Sequence, residues 1–131
     1  MLVVGAGPGG TAVAKRLAEE GIDVLVIERR QTVGNPAQCG ECFPGWGEMT
    51  DAFPLIKDDP WLEDFWQLPS HILGQYLEWM RIFSPSMKDY GFELDCYGAH
   101  RLQLDGYLAD QAESKGADIQ TGTELRKIQN Q

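Results

Sequence analysis

The sequence predicts an α/β protein: a βαβ unit at the N-terminus with a β-hairpin layer outside it. Three observations carry that prediction. Residues 1–30, MLVVGAGPGGTAVAKRLAEEGIDVLVIERR, place Gly5-x-Gly7-x-x-Gly10 between an apolar run and an amphipathic segment. A second apolar run, Val24 to Ile27, follows and ends on Glu28. Further along, Leu77 to Leu94 reads as two alternating stretches around Pro85-Ser86-Met87-Lys88-Asp89, the pattern of a hairpin.

Leu2 to Val4 reads as the end of a buried strand. Gly5 permits the tight turn after it, Gly7 lets the backbone approach a pyrophosphate, and Gly10 lets the following helix pack closely on the strand. Free N–H groups at the helix start, with the positive end of its dipole, suit an anion. Within the helix, Val13, Ala14, Leu17 and Ala18 are expected on one face, and Gly21 is placed to end it in the left-handed conformation.

Val24 to Ile27 is the continuous apolar run of a parallel strand covered on both faces. Glu28, 18 positions beyond Gly10, falls at its carboxyl end. A carboxylate there accepts hydrogen bonds from ribose hydroxyls and repels a 2′-phosphate. The glycines alone fit a tight turn in any α/β protein. With strand, helix, second strand and acid at these separations, the stretch predicts a Rossmann-like dinucleotide site.

At 131 residues the chain is about one domain long. A doubly wound nucleotide domain needs more strands than follow, so the chain is expected to be an incomplete domain, the N-terminal piece of a longer protein. The formal net charge of −9 argues against nucleic acid or an anionic membrane surface as an electrostatic partner. No apolar run of about 18 residues and no basic, apolar leader is present, so neither a transmembrane span nor a signal peptide is expected. Three cysteines, an odd number, fit a reducing cytoplasm better than a disulfide framework.

Residues 31–47 are rich in glycine and proline and read as a loop leaving the carboxyl edge of the sheet, where ligands bind in such folds. Residues 48–69 carry Phe53, Trp61, Phe65, Trp66 and three prolines among acids, and read as short helical pieces covering a small apolar core. Leu104, Leu108 and Ala112 then mark a helix face, with Gly116 as its stop. Ile119 begins a strand expected to return to the nucleotide sheet, and Thr123 to Ile128 the start of another. The expected organisation is 1–47, the nucleotide-binding unit and cysteine loop; 48–98, an irregular segment and hairpin of a partial substrate domain; and 99–131, a helix and strand returning to the first.

Cys39 and Cys42, in Pro36-Ala37-Gln38-Cys39-Gly40-Glu41-Cys42, have C-x-x-C spacing, which suits a redox dithiol or half a zinc site. No second cysteine or histidine pair follows at finger spacing, and no thioredoxin-like context surrounds it.

VVGAGPGGTAVAKRLAEEG, VLVIERR and NPAQCGE together resemble the start of the flavin-dependent geranylgeranyl reductase family, within the flavoproteins typified by para-hydroxybenzoate hydroxylase. The run from His100 to Asp105, followed by LADQAESKGADI, is similar to that group's R-x-x-F-D-x-x-L-A segment, with Leu104 where phenylalanine is common. The resemblance spans almost the whole chain, most closely at residues 3–41 and 100–121.

The resemblance implies FAD, with its diphosphate along Gly5, Gly7, Pro8, Gly9 and Gly10 and its ribose at Glu28. Arg29 would lie near the adenosine, Arg101 would hold the diphosphate region, and the loop at Gln38 and Cys39 would pass the flavin and the substrate. It implies an isoprenoid lipid substrate whose carbon–carbon double bonds are reduced, and a separate electron donor for the flavin. Cys39 is the candidate catalytic residue, a proton donor nearest the alkene; the alternative is a small residue packing a tight loop. No metal is expected. A second Gly-Asp fingerprint and the isoprenoid-binding region would lie beyond Gln131, so the 131 residues alone are expected to be inactive and to bind FAD weakly. The full-length parent is expected to be cytoplasmic, with peripheral membrane contact through residues outside this chain. Two other readings stay open: an FAD-dependent monooxygenase of the same fold, and a non-catalytic dinucleotide-binding module or truncated relic.

Overall fold

The computed structural model describes residues 1–39 and 42–128. It is a mixed α/β structure of two compact units, divided after Gln38 and after His100.

The first unit holds a three-stranded parallel sheet in the order β1-β2-β6, formed by β1 (Leu2–Val4), β2 (Leu25–Ile27) and β6 (Asp118–Gln120), with helices α1 (Pro8–Glu19) and α4 (Arg101–Ser114). Val3, Val26 and Ile119 align across the strands and face the helices. Ala14 of α1 and Ala112 of α4 are fully buried in the same cluster, and side chains this small let the helices approach each other and the sheet closely. Burying Val26 fully contributes about 1.5–3 kcal/mol relative to leaving it in water.

Both helices end as their glycines predict. Gly21 takes φ +76 while Ile22 N–H donates to Leu17 O (3.1 Å), and Gly116 takes φ +103 while Ala117 N–H donates to Ala112 O (3.1 Å). Each pattern satisfies carbonyls that the helix would otherwise leave unpaired. The strand at Ile119 does return to the nucleotide sheet.

Three expectations change in this unit. Val13 is exposed, and the buried face of α1 is Thr11, Ala14 and Lys15, with Leu17 and Ala18 packed beside them. The face is rotated because Gly10 brings the helix start hard against the strand. Residues 123–128 form no strand: Gly122, at φ +66, turns the chain, and Thr123 N–H donates to Glu28 O without a ladder following. β2 is covered on both rows, but Leu2 and Val4 of β1 are exposed because both helices lie on the other face.

The second unit is an antiparallel sheet in the order β3-β5-β4, formed by β3 (Cys42–Pro44), β4 (Leu73–Phe83) and β5 (Asp89–Ala99). Short helices α2 (Trp46–Ala52) and α3 (Pro60–Trp66) flank a 3-10 turn at Pro54–Ile56, as the proline-interrupted segment suggests. The hairpin turns where expected, with Ser84 N–H donating to Lys88 O and Met87 at φ +61. It runs beyond 77–94 on both sides, where Tyr76 and Tyr97 make a cross-strand ring pair 4.9 Å apart.

The stretch 31–47 is not all loop. Cys42–Pro44 forms an edge strand, a position that tolerates a proline lacking its N–H. That strand also corrects the reading of three free thiols. Pairing of β3 with β5 sets Cys42 diagonal to Cys96, with Cα atoms 6.3 Å apart, and the two form a disulfide. Cys42 is therefore joined to Cys96 and not to Cys39, which is free and exposed.

Candidate functional site

The turn between β1 and α1 supplies the geometry of the site. Gly5 takes φ +99, and its N–H donates to Ile27 O (2.8 Å), carrying the sheet ladder to the edge of the turn. A Cβ added at Gly7 or Gly9 would meet nothing within 4 Å, whereas one at Gly10 would stand 2.0 Å from Gly5 O. The first two glycines thus leave open space before the helix, and the third is needed for packing.

Gly7, in an extended conformation, caps α1 with no side-chain bond, and Pro8 follows at a position whose N–H the helix does not require. Thr11, fully buried, donates its hydroxyl toward Gly7 O and Pro8 O, both 3.1 Å away, and fixes the turn from below. The result is a bare helix N-terminus facing a cradle free of side chains, the arrangement that suits a phosphate.

Glu28 closes one side. Its Oε2 accepts from Ala6 N–H and its Oε1 from Arg30 N–H, each at 2.9 Å, so one carboxylate ties the glycine turn to the end of β2. Burial pushes its pKa up, but the two backbone donors and the charges of Arg30 and Arg29 outweigh that and hold it below the ordinary value. A carboxylate has about four acceptor positions, and these bonds use two, so capacity for diol hydroxyls is left. A cleft of about 270 Å³ opens there, lined by Val4, Gly5, Glu28, Arg29, Glu124 and Leu125. Gly5, Glu28 and Arg29 are thus brought to one edge of the parallel sheet.

Since its folded pKa is depressed, Glu28 contributes stability above the ordinary carboxylate range and loses it as pH falls through the lowered value. Wild type should accordingly lose more stability than Glu28→Gln between pH 7 and about pH 3. Urea midpoints at the two pH values test this, and parallel acid limbs would contradict it.

Arg101 opens α4. Its Nη2 lies 2.8 Å from Oδ1 and 3.0 Å from Oδ2 of Asp105, one turn on and buried. Gly34, at φ +77, crosses over that acid, and a Cβ there would stand 2.8 Å from the Asp105 Cβ. Gln38 and Cys39 are exposed on either side of the unit boundary, and Gly40 and Glu41, which complete the cysteine run, lie outside the described residues.

Sequence reasoning missed Thr11, Ala6 and Asp105. Asp105 carried a signal in the R-x-x-L-D run; Ala6 acts through its backbone and carried none. Among the described residues no group of three or more His, Cys, Asp or Glu side chains could hold a metal ion, and no helix is long and apolar enough to cross a membrane.

Comparison with known proteins agrees with this geometry. The profile of the NAD(P)-binding Rossmann-like domain matches residues 3–67. A protein of Methanococcoides burtonii named digeranylgeranylglycerophospholipid reductase 2 is 58% identical over 130 residues, covering 94% of this chain and 28% of its own length. The protein named digeranylgeranylglycerophospholipid reductase of Methanocella arvoryzae is 35% identical over 131 residues, with 95% and 30% covered. Among solved structures, a geranylgeranyl bacteriochlorophyll reductase-like protein of Thermoplasma acidophilum superposes with a TM-score of 0.73 at 27% identity, over 92% of this chain and 29% of that one. The chain thus spans about 30% of the length of these reductases. By sequence and by fold, the chain is similar to part of proteins named as geranylgeranyl reductases.

Proposed function

We propose that this chain is the dinucleotide-binding part of an FAD-dependent oxidoreductase that reduces carbon–carbon double bonds of geranylgeranyl groups in a lipid. The observation that carries the reading is the glycine cradle facing a helix N-terminus beside an ionised, buried Glu28. Open space at Gly7 and Gly9 admits a diphosphate, and the spare acceptor positions of Glu28 admit the ribose diol. Arg29 lines the same cleft and would stand by the adenosine. FAD, when bound, supplies the hydride chemistry, after reduction by a separate donor.

The roles of this chain's own residues follow. Gly5 to Gly10 and Glu28 would hold and orient the cofactor, and Arg101, which pairs with Asp105, would face the diphosphate. Cys39, an exposed thiol, would give a proton to the carbon next to the one reduced. Gln38 would line the same loop. The full-length parent is read as cytoplasmic, touching membrane only at its surface to reach the lipid.

In the full-length parent, a digeranylgeranyl lipid should gain two hydrogens per double bond when the flavin is chemically reduced, as mass spectrometry would record. Dioxygen consumption with a hydroxylated product would sink the reading. Cys39→Ala should keep the flavin bound and slow reduction by about a hundredfold, the scale of one general acid. An unchanged rate would leave Cys39 only a packing role.

A further inference from the structure

The three cysteines form a group that the dinucleotide site does not use as a group. Cys42 and Cys96 are joined, and Cys39, free and exposed, stands three positions before Cys42. The two halves of the disulfide differ in access. Cys42 is exposed on the edge strand β3, whereas Cys96, in β5, is 0% exposed. A thiolate attacks the disulfide sulfur that it can reach, so an incoming thiol meets Cys42 and makes Cys96 the departing group.

Cys39 is a nucleophile already tethered to that sulfur. Only two residues separate it from Cys42, the C-x-x-C spacing in which two cysteines close a redox-active ring. The hold on β3 does not rest on the disulfide alone. Phe43 stacks on Trp66 with ring centroids 4.7 Å apart, and Pro44 O accepts from Trp66 Nε1–H at 2.8 Å. These contacts, with the pairing to β5, keep the strand in place when the cross-link moves. Cys96, once released, is a small apolar group in a buried position that suits a neutral thiol.

We propose that Cys39, Cys42 and Cys96 form a thiol–disulfide switch. The Cys39 thiol gives its proton to solvent and its thiolate attacks Cys42 Sγ. The Cys39–Cys42 bond forms, the Cys42–Cys96 bond breaks, and the electron pair leaves on Cys96 Sγ, which takes up a proton. One disulfide and one thiol exist before and after, so no oxidant or reductant is consumed. In the exchanged form Cys39 has no proton to give. The switch therefore turns off alkene reduction, and this consequence, unlike the exchange itself, rests on the reductase reading.

The test maps the disulfides of the 131-residue chain after transfer from about pH 5, where thiols are protonated, to about pH 8 without oxidant. Samples are quenched with acid, alkylated and cut with trypsin. Cleavage after Arg30, Lys57, Lys88 and Arg101 puts Cys39 and Cys42 in one peptide and Cys96 in another. The linked pair of peptides should decline with time, as the peptide 31–57 appears alone, lighter by the two hydrogens of its new bond, and Cys96 takes the alkyl label. The rate should rise with pH, and Cys39→Ser should abolish the change. A chain that starts without the Cys42–Cys96 link, or a wild type that keeps it unchanged, would overturn the proposal. So would a rate proportional to protein concentration, since exchange would then run between copies. In the full-length parent, alkene reduction should fall with the same time course and return with dithiothreitol, while Cys42→Ser should hold its activity throughout. Exchange with unchanged reduction would refute the switch. Exchange in a parent that reduces no alkene would support the disulfide chemistry and refute the reductase reading alone.

Discussion

Gly10→Ala is expected to destabilise the first unit by several kcal/mol, although helix propensity argues the other way. Alanine is favoured over glycine inside a helix by about 0.5–1 kcal/mol, and Gly10 lies within α1. A Cβ at this position, however, would stand 2.0 Å from Gly5 O and 3.1 Å from Gly5 C, where ordinary contact begins at 3.4 Å. Both neighbours are backbone atoms of the turn, so relief requires moving α1 away from β1. Overpacking of this kind costs about 1–3 kcal/mol or more, and here it also separates Ala14 from Val3 and Val26. Gly9→Ala is the matched control: it lies one residue away, with nothing within 4 Å of the added carbon. The urea midpoint should fall for Gly10→Ala and hold or rise for Gly9→Ala. Equal midpoints would mean that the close approach of helix to strand is not what Gly10 provides.

Those two glycines also mark what a sequence can disclose. Gly5 to Gly10, the Gly21 and Gly116 helix stops and the apolar strands were legible because each depends on local backbone geometry or on a run of like residues. Contacts set by tertiary register were not. Cys42 reaches Cys96 only through the pairing of β3 with β5, 54 positions apart in the chain. Ala6 meets Glu28 through a backbone N–H that any residue would supply. Glu28 itself was legible as a carboxylate at a strand end, but its second task of tying the turn to β2 was not. Val13 missed the buried face because the pull of Gly10 toward Gly5 fixes the rotation of α1, and side-chain spacing alone cannot report that. The glycine and proline content of 31–47 concealed a strand, since an edge position forgives what a central one would not.

Gly7→Val should remove dinucleotide binding while leaving the fold intact, the converse of Gly10→Ala. Its Cβ would enter open space, and Gly7 has φ −75 and ψ 176, an extended backbone that a β-branched residue adopts without strain. Nothing in the unit therefore resists the substitution. The space it fills is the approach to the N-terminus of α1, where a diphosphate would take the backbone N–H groups. Two valine methyls there exclude the phosphate and leave those donors to water. Calorimetric titration with ADP, which carries both the diphosphate and the ribose, isolates this half of the site from the flavin ring. Affinity should fall more than about tenfold, or at least about 1.4 kcal/mol, with an unchanged urea midpoint. Glu28→Gln should weaken ADP by a smaller factor, since an amide oxygen still accepts from one hydroxyl. Full ADP affinity in Gly7→Val would move the diphosphate away from the glycine turn and remove the main support for the FAD reading. Loss of binding together with loss of fold would show that Gly7, like Gly10, serves packing, contrary to the open space around it.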